Sequence, residues 1–131
     1  MKGVFLLGEN KEYVTHSDEK GSVNISEDVI AIIASSAAFE VKGVDGFPTT
    51  IGTDIAGFLS KKTSGRGVRI QINDTAITVD AYIMIKHGFV INEVAKEVQN
   101  AVFSAVESMT GLSVPEVNVH VCGITFEKEK N

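Results

Sequence analysis

The residues best suited to chemistry lie near the end of the chain, where residues 117–126 read VNVHVCGITF. His120 and Cys122 are two residues apart there, and Cys122 is the single cysteine of the protein. Imidazole and thiolate groups are zinc ligands, and a cysteine beside a histidine base can act as a nucleophile. The spacing therefore suggests two chemical hypotheses, a metal site and a cysteine-dependent hydrolase. The alternative is an ordinary strand with a polar outer face.

The valines that alternate with these residues decide between the hypotheses. Val117, Val119 and Val121 share one face of the predicted strand, and apolar residues in register indicate the face that packs on the core. His120 and Cys122 then point outward. Side chains two residues apart on a strand are separated by roughly 6–7 Å, which is too far for a thiol to reach its base. The pattern predicts that these residues are not catalytic.

A metal site needs three or four converging ligands, and the other histidines do not supply them. His16 lies in a polar N-terminal segment, and His87 has the parity of the helix-facing side of its strand. The chain has no P-loop and no dinucleotide fingerprint, and its GVDG run (43–46) lacks the basic surroundings of an RNA-binding GxxG loop. We therefore predict no metal site, no cofactor and no catalytic residue.

Composition and charge exclude further classes of protein. The net charge of −5 argues against binding to nucleic acid and to anionic lipid. The single cysteine leaves no internal disulfide and fits a reducing cytosol. No apolar run reaches the roughly 18 residues that indicate a membrane span. The sequence predicts a cytoplasmic protein with no direct membrane insertion.

The elements that position these residues follow from apolar periodicity. Apart from the apolar patch VFLL (4–7), residues 1–20 are polar and aperiodic, and we interpret them as a loosely ordered N-terminal arm with at most one short strand. A strand at 21–25, a helix capped by Ser26, a two-stranded hairpin, a helix capped by Asn92 and a strand at about 114–126 follow in that order. The order β-α-β-β-α-β predicts an α+β fold, a two-layer α/β sandwich with both helices on one face of a roughly four-stranded mixed sheet.

The predicted elements divide the chain into three parts. They are the N-terminal arm (1–20), a single α/β domain (21–127) and a polar tail (128–131). An irregular insertion at 47–64, broken by Pro48 and by glycines, interrupts the domain.

Helical spacing predicts which side of each helix is buried. On the first helix the predicted stripe contains Val29, Ile33 and Ala37, widened by Ile30 and Ala34. On the second helix it contains Ile91, Ala95, Val98, Val102, Ala105 and Met109. The first helix is crowded with small residues, in AIIASSAAF, which suits close packing against a sheet or a second helix.

The hairpin has the clearest signal in the chain. Apolar and polar residues alternate in VRIQI and again in ITVDAYIMI. A slip of one residue would turn one apolar set outward, so Ile72 is expected opposite Ile77 and Arg69 opposite Asp80. The second strand outruns the first. Its remaining backbone groups must pair with another strand, meet solvent or add to another chain.

The outer face of the predicted sheet is the candidate interaction surface. Aromatic, cationic and thioether side chains mixed together suit a protein interface, although a solvated sheet face is the simpler alternative. The members of this outer face are Arg69, Gln71, Asp80, Tyr82, Met84, Lys86, Asn118 and His120.

Four segments point to one protein family. They read ISEDVI, EVKGVDG, VINEVAKEVQNAV and AVESMTGLSVPEVNVHVCGI, and they occur in that order between residues 21 and 127. In these segments the chain resembles the alkaline shock proteins, an envelope stress response family of Gram-positive bacteria. The resemblance implies abundant cytosolic proteins with no known enzymatic activity. It also implies that some members self-associate and are held at the membrane by a separate anchor protein, and that others are linked to fatty-acid and membrane-lipid metabolism.

Residues and resemblance together predict a cytosolic scaffold or adaptor that is not an enzyme. We expect it to self-associate and to support the envelope stress response or membrane-lipid homeostasis, in the cytoplasm or at the inner membrane face through a protein partner such as a membrane anchor. The alternative is a small-molecule or lipid-precursor sensor that regulates fatty-acid metabolism, with a pocket between the first helix and the 47–64 insertion. A third hypothesis is a weak hydrolase that uses Cys122 and His120.

Overall fold

The computed structural model describes the backbone of residues 3–7, 11–48, 67–73 and 76–126, with side chains from Tyr13 onward within these ranges. The predicted insertion at 47–64, apart from its first two residues, and the predicted tail at 128–131 lie outside the described residues. The division of the chain into arm, domain and tail therefore stays a prediction.

Six strands and two helices occur in the described ranges. In chain order they are β1 (Gly3–Leu7), β2 (Lys11–Asp18), β3 (Gly21–Ser26), α1 (Glu27–Phe39), β4 (Val68–Asn73), β5 (Ala76–Lys86), α2 (Ile91–Thr110) and β6 (Ser113–Thr125). This content of helices and mixed strands confirms the predicted α+β class.

The described strands form two three-stranded sheets. β1, β2 and β3 are antiparallel neighbours. β4 and β5 form an antiparallel hairpin, and β6 lies parallel to β5. Parallel neighbours need a long crossover, and α2 supplies it between β5 and β6. Both helices contact this second sheet and each other, as the predicted two-layer arrangement requires.

The expected single sheet of about four strands is wrong in its strand arrangement. β3 pairs with β2, beginning at Asp18 opposite Gly21, and is not part of the sheet that contains β5. The connection is short, and the Asp18 carboxylate accepts the N–H of Lys20 at 2.8 Å. Closing so short a loop costs little conformational entropy, which favours the local hairpin and leaves β6 to pair directly with β5.

The interpretation of residues 1–20 as a loosely ordered arm is also wrong for the described part. β1 and β2 occupy most of this segment. Val14 on β2 is fully buried in the core, and the Thr15 hydroxyl donates to the Asn24 side-chain oxygen at 2.7 Å. The signal was missed because Val14 is the one aliphatic residue among the eight of β2.

The predicted register of the β4–β5 hairpin is confirmed. Ile72 pairs with Ile77 and Arg69 pairs with Asp80. The inward residues of β5 are the floor of the core, and none is more than 1% exposed. They are Ile77, Val79, Ala81, Ile83 and Ile85.

The N-cap of α1 is confirmed, and its predicted buried stripe is correct in part. The Ser26 hydroxyl accepts the N–H of Val29 at 3.2 Å, in the standard N-cap arrangement. Of the predicted stripe, Ile30 and Ala34 are fully buried, whereas the side chain of Val29 is 46% exposed. The helix is apolar on almost every side, so its sequence pattern does not determine which side meets the sheet.

α2 begins at Ile91, so Asn92 lies within the helix and does not cap it. Four valines at intervals of four residues form the buried side: Val94, Val98, Val102 and Val106. Of the predicted stripe, Val98 and Val102 are correct, whereas Ile91 and Met109 are 45% and 70% exposed. The helix ends at Gly111, whose left-handed conformation (φ 77°) is the usual glycine terminator.

Candidate functional site

β6 places the predicted site residues on the outer face of the sheet. Val117 is 8% exposed, and Val119 and Val121 pack half-buried against the core. Asn118 and His120 alternate with these valines and therefore project from the opposite side of the sheet. The inward orientation predicted for the three valines agrees with this packing.

A β-bulge interrupts β6 at the cysteine. Cys122 is an extra residue between the pairs Ile83–Val121 and Met84–Gly123. A bulge leaves the extra residue unpaired and increases the local twist. Gly123 gives room to the Met84 side chain, because a Cβ at that position would lie 2.9 Å from the Met84 Cε atom. The bulge therefore ends the regular alternation of β6 just after His120.

A buried carboxylate joins the outer-face residues of two strands. Asp80 is 8% exposed, and its Oδ1 atom accepts the Asn118 side-chain amide at 3.1 Å. The Nε2 atom of His120 lies 3.1 Å from the same oxygen, and it donates when the ring carries a hydrogen there. One carboxylate oxygen thus fixes two side chains of β6.

The aromatic ring of Tyr82 covers the histidine of this network. The rings of Tyr82 and His120 stack with centroids 4.6 Å apart and planes 15° apart. Burial, and then the negative charge of Asp80, raise the pKa of the Tyr82 phenol, while the positive charge of Arg69 acts in the opposite direction. The phenol therefore stays neutral and holds a fixed ring against the imidazole.

The thiol of Cys122 is not arranged as a nucleophile. Its Sγ atom donates to the backbone carbonyl of His120 at 3.7 Å, not to the imidazole. Burial raises the pKa of the thiol, which lowers the fraction of reactive thiolate at neutral pH. Within the residues that the structure describes, no three His, Cys, Asp or Glu side chains come together in a group that could hold a metal ion.

Five of the eight residues predicted for the outer face form a contiguous cluster, and the other three lie away from it. The central cluster contains Arg69, Asp80, Tyr82, Asn118 and His120.

The remaining members of the face lie away from this cluster. Gln71 pairs with Thr78 toward the hairpin turn, and Met84 lies over Gly123 at the bulge. Lys86 is exposed at the end of β5. The sequence predicted Asp80 opposite Arg69 but did not predict its contact with His120. The rule that a β-α-β unit has parallel, neighbouring strands could have placed the two strands side by side, but not in this register.

The edge of β5 beyond the hairpin is paired within the chain. The N–H groups of Met84 and Lys86 donate to the carbonyl oxygens of Gly46 and Gly43 at 2.9 and 2.8 Å. The N–H of Asp45 donates to the Met84 carbonyl at 2.8 Å. Both glycines have positive φ angles, of 100° at Gly43 and 93° at Gly46. The GVDG run therefore closes this edge, which the sequence had left open to three outcomes.

A separate cavity of about 310 Å³ opens where β5 and β6 end. Its lining residues come from both strand ends, the loop before α2 and the GVDG run. They are Asp45, Lys86, His87, Phe89, Thr125 and Phe126. The rings of His87 and Phe126 stack with centroids 4.5 Å apart. The volume is at the lower end of the range of small-molecule sites, about 300–1,000 Å³.

Known proteins resemble this chain over most of its length. A family model for the alkaline shock protein 23 family, described as having a cell envelope-related function, matches residues 15–126. Protein YqhY of Bacillus subtilis (strain 168) is 36% identical over 107 residues, which cover 82% of this chain and 79% of that protein. Protein YloU of the same organism is 35% identical over 106 residues, which cover 79% of this chain and 88% of that protein.

Similarity to solved structures is more limited. A variant of the MamM CTD aligns with a TM-score of 0.44 and 17% identity, over 76% of this chain and 93% of that one. The zinc form of another MamM CTD variant aligns with the same TM-score and 16% identity, over 78% of this chain and 87% of that one. This partial likeness supports no statement about function.

Proposed function

Since the chain belongs to the alkaline shock protein 23 family, which has a cell envelope-related function, we propose that it is a non-catalytic scaffold or adaptor. In this proposal it self-associates and supports the envelope stress response or membrane-lipid homeostasis. The observation that carries the proposal is the ordered cluster on the outer face, in which Asp80 holds Asn118 and His120 and the ring of Tyr82 stacks on the histidine.

The chemistry of this cluster suits recognition of a protein. Tyrosine, arginine and methionine are enriched in interfaces, where a ring supplies contact area and a polar tip supplies a hydrogen bond. Tyr82 and Asn118 are half-buried before any partner binds. Side chains that are already fixed lose little conformational entropy on association. The outer face is therefore preorganised for docking.

The same atoms argue against a hydrolase. Acyl transfer by a cysteine needs a thiolate within hydrogen-bond reach of its base. Here the Cys122 thiol turns to a backbone carbonyl and has a raised pKa. The imidazole of His120 is directed at Asp80 and covered by a ring on one side. A role in binding accounts for this geometry better than a role in catalysis.

We place the protein in the cytoplasm, at the inner membrane face when a partner recruits it. None of the described helices is long and apolar enough to cross a membrane. The net charge of −5 disfavours direct adsorption to anionic lipid and to nucleic acid. Membrane association in this proposal therefore requires a protein partner, such as a membrane-anchor protein.

The proposal is tested by the size and the partners of the protein. Sedimentation velocity at rising concentration should show a growing mass, and affinity purification from cells of the source should recover specific partners. Tyr82→Ala should reduce the recovery of partners, because it removes the ring that covers His120. Phe103→Ala is the matched control, since Phe103 is 43% exposed on α2. A wild-type protein that stays monomeric at high micromolar concentration and recovers no partner contradicts the proposal.

A second candidate function is a sensor of a small molecule or lipid precursor. The pocket predicted for it, between α1 and the 47–64 insertion, involves residues outside those that the structure describes, but a different cavity, of about 310 Å³ between Lys86 and Phe126, favours this function. It predicts that a ligand raises the melting temperature by mass action. A thermal-shift screen of acyl and biotinyl metabolites tests it, with Phe126→Ala as the variant that should abolish any shift. The absence of a shift with every metabolite rejects this candidate.

A further inference from the structure

The backbone hydrogen bonds of β5 assign its residues to its two edges. The N–H groups of Tyr82, Met84 and Lys86 all donate to the chain that runs along the β4 side. In a strand, the N–H and C=O groups of one residue point to the same edge, and successive residues alternate. Ala81 and Ile83 therefore direct their backbone groups at β6.

The parallel register then assigns the residues of β6. Ala81 is the register partner of Val119. In a parallel pair, the bonds of a residue go to the two neighbours of its register partner, which here are Asn118 and His120. It follows that Val119 directs its N–H and C=O groups away from β5. Val117 and Val121, each two residues away, do the same.

An independent contact supports this assignment. The carbonyl oxygen of Val117 accepts a hydrogen bond from the Gln99 side-chain amide at 3.0 Å. A helix side chain can reach that oxygen when it points away from the neighbouring strand. Among the described strands, β5 is the one neighbour of β6. The backbone groups of three valines thus line an edge with no strand partner in the described part of the chain.

Two irregularities bound the regular part of this edge. The register with β5 shifts near Pro115 and again at Cys122. Proline has no N–H to donate, and the bulged cysteine disrupts the ladder. Between them lie the five residues 117–121, without proline and without the lysines that commonly protect an exposed edge.

We propose that two copies of the chain pair antiparallel along this edge, about a two-fold axis at Val119. Val119 exchanges both backbone hydrogen bonds with Val119 of the partner subunit, and Val117 does so with Val121 of the partner subunit. The Val117 carbonyl exchanges its Gln99 contact for the strand bond, or accepts both. On the outer face, Asn118 lies beside His120 of the partner subunit.

The occupant is a second copy because the stretch is complementary to itself. An antiparallel two-fold axis at Val119 sets valine against valine on the core side and an amide against an imidazole on the outer side. A shift of the pairing by one step in either direction would bring Pro115 or the Cys122 bulge into the ladder. This register is therefore the one in which all three valines that face away from β5 take part in the pairing.

The pairing deepens the proposed function and rests on its self-association part. Each copy contributes the three strands β4, β5 and β6, so the dimer has one continuous sheet and one continuous outer face of doubled width. The half-buried side chains of Val119 and Val121 become more buried near the two-fold axis. A partner that docks on the outer face then meets both copies at once.

The first test removes the central donor. Val119→Pro deletes an N–H that makes no bond within the chain in this assignment, and proline is tolerated on edge strands at such positions. We expect a monomer by sedimentation velocity at concentrations where the wild type is dimeric, with a melting temperature close to that of the wild type. Val119→Thr is the control, because it keeps the N–H and the branched shape. It should remain dimeric.

The second test does not depend on a proline variant that folds. In a Cys122→Ser background, Val119→Cys places two thiols across the axis, since opposed hydrogen-bonded residues have Cα atoms about 5.5 Å apart, within disulfide range. Mild oxidation should give a covalent dimer, whereas Ser104→Cys, exposed on α2, should not.

The outcomes separate this inference from the proposed function. Self-association that persists in Val119→Pro, with no disulfide at position 119, overturns the edge pairing and leaves the scaffold proposal intact. A disulfide that forms as readily at position 104 overturns it as well. A wild type that is monomeric at every concentration removes self-association itself, and the edge pairing with it.

Discussion

His120 and Asp80 are joined diagonally across two parallel strands. The register pairs Asp80 with Asn118 and Tyr82 with His120, yet the His120 Nε2 atom lies 3.1 Å from the Asp80 Oδ1 atom. The same oxygen accepts the side-chain amide of Asn118. The Asp80 carboxylate therefore holds the side chains of Asn118 and His120 in place through hydrogen bonds, while the ring of Tyr82 stacks on the imidazole.

Asp80→Ala should destabilise the protein by about 1–3 kcal/mol, because it removes two hydrogen bonds that each contribute about 0.5–1.5 kcal/mol. The variant removes the acceptor shared by Asn118 and His120. Urea unfolding followed by circular dichroism measures the change in the free energy of unfolding. Asp45→Ala is the control, since the Asp45 side chain is exposed and its replacement should cost less than about 0.5 kcal/mol. Equal costs for the two variants would contradict the role given to Asp80.

Gly43→Ala should destabilise the protein more than Gly46→Ala. Both glycines have positive φ, so both variants carry backbone strain. A Cβ on Gly43 would lie 2.8 Å from Phe89 and 2.9 Å from Val94, whereas a Cβ on Gly46 meets no atom within 4 Å. The overpacking should add about 1–3 kcal/mol. Thermal unfolding of both variants measures the difference, and a larger loss for Gly46→Ala would show that the loop packs otherwise.

Ile30→Ala and Val29→Ala test the face that α1 presents to the sheet. Ile30 is fully buried and Val29 is 46% exposed. Truncating the buried isoleucine should cost about 2–5 kcal/mol, and truncating the exposed valine less than about 0.5 kcal/mol. Denaturant unfolding measures both values. The reverse order of costs would mean that α1 is rotated from the orientation described above.

Stability should fall in alkaline solution through two groups on the outer face. Burial raises the pKa of the Cys122 thiol, and burial with the charge of Asp80 raises the pKa of the Tyr82 phenol. The folded state then keeps protons that the unfolded state releases. The contribution of these two groups to the free energy of unfolding is complete below their unfolded-state pKa values. It is lost as the pH rises through their folded-state pKa values. Urea unfolding across this range should show a shallower decline in the double variant Cys122→Ala, Tyr82→Phe. Identical declines would rule out these two groups as the cause.

The hairpin and the class of fold were predictable from the sequence because burial constrains them. Both strands of the hairpin have a complete alternation, and a slip would expose one apolar set. The pairing of Arg69 with Asp80 followed from that alone. The N-cap at Ser26 was predictable for a similar reason, because a short-range hydrogen bond determines it.

Other features depend on contacts that no local pattern contains. β2 has Val14 as its one inward aliphatic residue among polar neighbours, so its alternation was too weak to detect. α1 is apolar on most sides, and packing against α2 and the sheet selects the buried side. The closure of the β5 edge by Gly43 and Gly46 required the position of a loop in space.

The candidate site was predictable as a face but not as a network. Alternation placed Asp80, Tyr82 and His120 on the outer side of their strands. Their mutual contact depends on the parallel register of β5 and β6, which a long helical crossover does not fix in sequence. The bulge at Cys122 likewise has no signal in the local pattern, although Met84 packs over Gly123 directly beside it.

The claim that the outer sheet face is the partner surface is tested most directly by photocrosslinking in cells of the source. A diazirine amino acid in place of Met84, which is half-buried on that face, is compared with the same amino acid in place of Met109, which is 70% exposed on α2. We expect protein adducts from position 84 and few from position 109. Adducts from position 109 alone, or none from either position, would contradict the account.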